Sequence, residues 1–172
     1  MALSEIGADG IWTIPAQRYK TKCANFVPLS KAALTLITAQ PRIDGSKYVF
    51  SSHAGTPFSA FSWNKAALDR AVLAAMQKQA NGTEVAPIPN WHLHDLRRTA
   101  KTLMARAGVR PDISERVLSH VIPGVEGVYD CYEYLREKAD ALTQLAALID
   151  RIIHAPVDNV ASLDEHRARG AA

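Results

Sequence analysis

Between Tyr132 and His154 the apolar residues Leu135, Ala139, Leu142, Ala146, Ile149 and Ile153 recur at steps of three and four. That period draws one stripe along an amphipathic helix, and a stripe of this length must be buried against something. The chain therefore needs other elements to supply the covering surface. With 172 residues it has length for about one domain. The composition, 48% hydrophobic and 22% charged, lies far from that of disordered chains. No run of apolar residues is long enough to span a bilayer, and Glu5 and Asp9 sit where a secretory signal needs cationic and apolar stretches. Cys23 and Cys131 stand alone without a Cys-x-x-Cys pair, so neither a disulfide framework nor a thiolate zinc site is expected. A cytoplasmic protein without membrane association fits these features.

Proline, glycine and capping residues divide the rest. Gly10 to Pro15 and Phe26 to Leu29 read as paired strands, with polar residues 17–25 between them. Ser30 can cap a helix that runs through Ala32, Leu34 and Leu36 to Ala39 and stops before Pro41. Tyr48 to Phe50 reads as a further strand. Ser62 can cap a longer helix ending near Asn81-Gly82. A third helix is expected from Leu93 or His94 to Ala107, closed by Gly108, and a fourth from Asp112 to Ser119. On the third, Leu96, Leu103 and Met104 can face a core; Trp12, Trp63 and Trp91 read as core or strand-anchoring residues. Pro123, Gly124 and Gly127 predict an irregular loop, and the stretch from residue 155 to the end a tail.

Charge gathers in one region. The formal net charge is only +3, yet from His94 to His120 six Lys or Arg face three Asp or Glu. His94 and Arg97, three residues apart at a helix start, project from neighbouring points of one face, and a guanidinium fork suits phosphate. Taken singly, each candidate also has a structural reading. His120 near a helix C-terminus complements the dipole there, and Lys20 has Lys22 as a rival on the same hairpin. Tyr129 is one of five tyrosines, with Tyr132 and Tyr134 close by. A zinc site built from His92, His94 and His120 has poor ligand spacing.

Taken jointly, the motifs carry more. His94-Asp95-Leu96-Arg97, then Leu118-Ser119-His120, then Tyr129 nine residues later, form an ordered set, preceded by Lys20 eight residues before Pro28. This set resembles the tyrosine recombinases, specifically the catalytic domain of phage-type integrases, over roughly residues 8 to 153. The resemblance implies an α+β fold, mainly α-helical with a small antiparallel sheet: the DNA breaking-rejoining catalytic core, over residues 1 to 154. It implies double-stranded DNA as substrate, self-association in a recombination synapse, no small-molecule substrate, and no metal or other cofactor. By the same resemblance Tyr129 is the nucleophile that forms a 3′-phosphotyrosyl intermediate, and Lys20 is the general acid for the leaving 5′-oxygen. Arg97 clamps the non-bridging oxygens, His94 serves near the tyrosine as donor and proton acceptor, and His120 donates to the phosphate. Arg18, Lys22, Arg98 and Lys101 are the expected DNA contacts. The family's further arginine, which precedes the hairpin, has no counterpart among residues 1–10. The domain is thus expected to be incomplete at its N-terminus. Loss of that guanidinium costs about 3–4 kcal/mol by analogy with one oxyanion donor, so strong impairment or a DNA-binding role without cleavage is the alternative expectation.

Overall fold

The computed structural model describes residues 1–19, 22–81, 83–120 and 132–155. Lys20, Tyr129, the Pro123–Gly127 loop and the tail from Pro156 onward lie outside them. Strands β1 (Ile11–Ile14) and β2 (Asn25–Pro28) pair antiparallel, Ile11 opposite Pro28 and Ile14 opposite Asn25. Five helices follow among the described residues: α1 (Lys31–Thr38), α2 (Phe61–Gln79), α3 (Leu93–Arg106), α4 (Pro111–Val117) and α5 (Leu135–Ile153). The fold is α+β and mainly helical, with one two-stranded sheet. No helix among the described residues is long and apolar enough to cross a membrane.

Local chemistry sets most boundaries. Ser30 Oγ accepts from the Ala33 N–H, so α1 begins where a capping serine stands. Gly108, with φ +86°, ends α3: its N–H bonds the Ala105 carbonyl at 3.0 Å, and the Val109 N–H reaches back to Met104 at 3.0 Å. This is the two-bond closure in which a left-handed residue satisfies the last carbonyls, and glycine enters that conformation at little cost.

The core lies where α3, α4 and α5 meet. Met104, Leu118 and Leu145 form its buried centre, with Ala100, Leu103, Val109, Val117 and Leu142 around them. Helix α5 packs on α3, α4 and β2. Its buried face is Lys138, Ala141, Leu145 and Leu148, one position over from the stripe read in the sequence. The polar Lys138 disguises that face: the side chain is 7% exposed, and its ammonium donates to the Phe26 carbonyl of β2 at 2.7 Å. Burial lowers the Lys138 pKa, the Glu133 carboxylate opposes that shift, and Arg116 adds to it. Ala146, Ile149 and Ile153, the distal residues of the expected stripe, instead line an apolar groove facing Ala32, Ala33 and Leu36 of α1, and Leu142 is shared between that groove and the core.

Four further expectations are corrected. Helix α2 starts at Phe61 after Ala60, not after a Ser62 cap; Phe58 and Phe61 stack edge to face at 5.1 Å there, and their packing sets the entry. Tyr48 to Phe50 is not a strand but a single bridge from Tyr48 to Ala2, flanked by bonds from Leu3 N–H to Lys47 and from Val49 N–H to Met1. Leu96 is 58% exposed, because Met104 rather than Leu96 faces α4 and α5. Trp63 is 72% exposed on α2, a helix that buries no residue. Trp12 and Trp91 do anchor, through indole N–H bonds to Glu5 at 3.1 Å and Asp69 at 2.9 Å.

Candidate nucleic-acid interface

Three elements converge on the turn after α4. Leu118 ends the helix, Ser119 takes φ +58°, and the chain reverses into His120. The Ser119 N–H bonds Arg116 at 3.1 Å and the His120 N–H bonds Glu115 at 3.0 Å, the same closure that Gly108 makes after α3. A serine here carries left-handed strain that glycine avoids. Its hydroxyl offsets part of that cost by accepting from Asn25 Nδ2 at 3.0 Å, which ties the start of β2 to the turn. From α3, Arg97 Nη2 donates to the Leu118 carbonyl. One guanidinium and the first residue of β2 are therefore bonded to the two consecutive residues that precede the His120 imidazole.

His94 is exposed in the first turn of α3, one turn before the half-buried Arg97. The helix start is fixed by Asp95, whose carboxylate accepts from the His92 N–H at 2.8 Å and from Arg98 at 3.1 Å. The His92 N–H, then Arg98, hold the Asp95 carboxyl below its ordinary range. Beyond Asp95, the Trp91 indole and Lys65 meet on Asp69 of α2, with the Lys65 ammonium 4.6 Å from the Trp91 ring centroid. The Lys65 hydrogen bond is the largest of the interactions that lower the Asp69 pKa.

The expected DNA-contacting cations differ in how much charge they have to offer. Arg98 is 77% exposed in its side chain and pairs only at the surface with Asp95. Lys22 is exposed on the hairpin side, with φ +57°. Arg18 pairs with Glu5. Lys101 donates to Ser114 Oγ at 2.6 Å and to Glu115 Oε1 at 2.5 Å, so its charge is met within the fold. Among the described residues no group of His, Cys, Asp and Glu is arranged to hold a metal ion. Sequence reasoning missed Asn25 and Glu115, whose closeness to Ser119 and His120 depends on the left-handed turn.

Residues 2–129 match the family model described as the phage integrase family. The chain belongs to the phage integrase family. The match ends at Tyr129. Prophage integrase IntZ of Escherichia coli (strain K12) is 27% identical over 146 residues, which cover 84% of this integrase-family chain and 33% of that protein. The chain thus spans about a third of the length of this curated relative. No solved structure matches it.

Proposed function

We propose that this chain carries the strand-cleaving chemistry of a phage- or prophage-type site-specific recombinase acting on double-stranded DNA. The Tyr129 phenolic oxygen attacks a backbone phosphorus, the bond from phosphorus to the 5′-oxygen breaks, and a 3′-phosphotyrosyl linkage forms. Lys20 delivers a proton to the departing 5′-oxygen, and His94 takes the phenolic proton. Arg97 and His120 stabilise the charge that grows on the non-bridging oxygens. Energy of the broken phosphodiester stays in the new phosphoester, so the 5′-hydroxyl of another strand reverses the step without ATP. Rejoining two duplexes calls for several copies of the chain in one synapse.

The observation that supports this most is the Leu118–His120 turn, where Arg97 of α3 and Asn25 of β2 are bonded to consecutive residues just before His120. Arg97 spends one donor on the Leu118 carbonyl, and a guanidinium has four more N–H groups for phosphate. The competing reading is DNA binding without cleavage. A duplex nicked close to the scissile phosphate, which traps the covalent product, separates the two. A protein–DNA adduct that survives denaturation and disappears in Tyr129→Phe is expected; salt-sensitive binding with no adduct at any concentration replaces cleavage with the second reading.

A further inference from the structure

His120 is held twice by one residue. Its backbone N–H bonds the Glu115 carbonyl at 3.0 Å, and its ring Nδ1 meets Glu115 Oε2. The other carboxylate oxygen accepts from Lys101 Nζ at 2.5 Å, and Lys101 also donates to Ser114 Oγ at 2.6 Å. Ser114 is buried, and its hydroxyl donates to the Pro111 carbonyl at 2.8 Å. The hydrogen bond from Lys101, followed by that from His120, holds the Glu115 carboxyl below its ordinary range. An ionised carboxylate has no proton to give, so the hydrogen between the two side chains belongs to Nδ1 of His120.

We propose that Glu115 is a positioning residue: it fixes His120 as the Nδ1–H tautomer and sets the ring's orientation, leaving Nε2 as the nitrogen that meets the phosphate. Lys101 then acts within the protein, steering Glu115, rather than on DNA. The role at the phosphate rests on the function proposed above; the tautomer and the tether do not. The arrangement needs the strained conformation at Ser119, because only a left-handed residue there brings a ring back to a side chain five positions earlier.

The test is nitrogen-15 NMR of the ring nitrogens in the full chain with labelled histidine, His120 being assigned by the signal lost in His120→Gln. A wild-type His120 protonated at Nδ1, with that preference lost in Glu115→Gln, is the expected result. A wild-type ring protonated at Nε2 alone overturns the proposal, and it does so without any variant having to fold. The second readout is the rate of adduct formation on the nicked duplex. Glu115→Gln is expected to slow it by about ten- to a hundredfold, the range seen when carboxylates that orient ligating histidines are removed. In a His120→Ala background the same change is expected to add nothing. An unchanged rate in Glu115→Gln, with the tautomer altered, refutes a role in the reaction. Absence of any adduct in wild type instead refutes the function above, and the NMR result alone then decides the tether.

Discussion

Met104 has no exposed surface and sits between Leu118 and Leu145, at the junction of α3, α4 and α5. Met104→Ala removes three heavy groups from that junction. At about 0.8 kcal/mol each the lost transfer energy is about 2.4 kcal/mol. Because three helices meet there and cannot all close in, a cavity remains, and the total moves to about 3–4 kcal/mol, within the range for such truncations. For a domain of this size each kcal/mol lowers Tm by roughly 2–4 °C, so a fall of roughly 6–16 °C is expected. Urea unfolding followed by circular dichroism measures it, with an unchanged slope as the sign that both proteins unfold as one unit. Met104→Leu, which keeps most of the volume, is expected to cost under about 1.5 kcal/mol. A loss below about 1 kcal/mol in Met104→Ala would mean that the three helices are not held by this cluster, and the packing argument for the Leu118–His120 turn would go with it.

Two further outcomes follow from the charges. Arg98→Gln is expected to weaken binding to a short duplex and to reduce the slope of log K against log salt by about 0.9, one phosphate contact, whereas Lys101→Gln leaves the slope unchanged because Glu115 and Ser114 already hold that ammonium; equal slope changes in the two variants would contradict the assignment. At Glu5, burial opposes ionisation, but the Ala2 N–H, the Trp12 indole and Arg18 outweigh it and hold the carboxyl below its ordinary value of 4.5. A depressed carboxyl adds stability that is complete above pH 4.5 and is lost as pH falls through the lower folded value. The difference in urea midpoint between wild type and Glu5→Gln is therefore expected to shrink on acidification from neutral pH to about pH 3, and a difference that stays constant over that range would refute it.

Local signals carried much of this protein. Ser30, Gly108 and the paired β-strand patterns are legible because a cap, a left-handed glycine and an alternating strand act over a few residues. The ordered His94, Arg97, His120 and Tyr129 spacing likewise pointed to the family from the chain alone. What the sequence could not supply was the direction each helix faces. The buried side of α5 contains Lys138, whose ammonium donates to the Phe26 carbonyl of β2, and a polar residue in a core face defeats a periodicity argument. Ala2 pairing with Tyr48, and Asn25 with Ser119, join residues far apart in the chain, so no local pattern announces them. The same holds for Glu115 and His120, whose spacing of five matches no helical face until Ser119 turns the backbone. Residue types and their order thus determined which cationic and imidazole groups the chain carries and where along it they stand. Tertiary structure alone decided which cations are already satisfied and which histidine is tethered, because hydrogen-bond partners are chosen by where the folded backbone brings them.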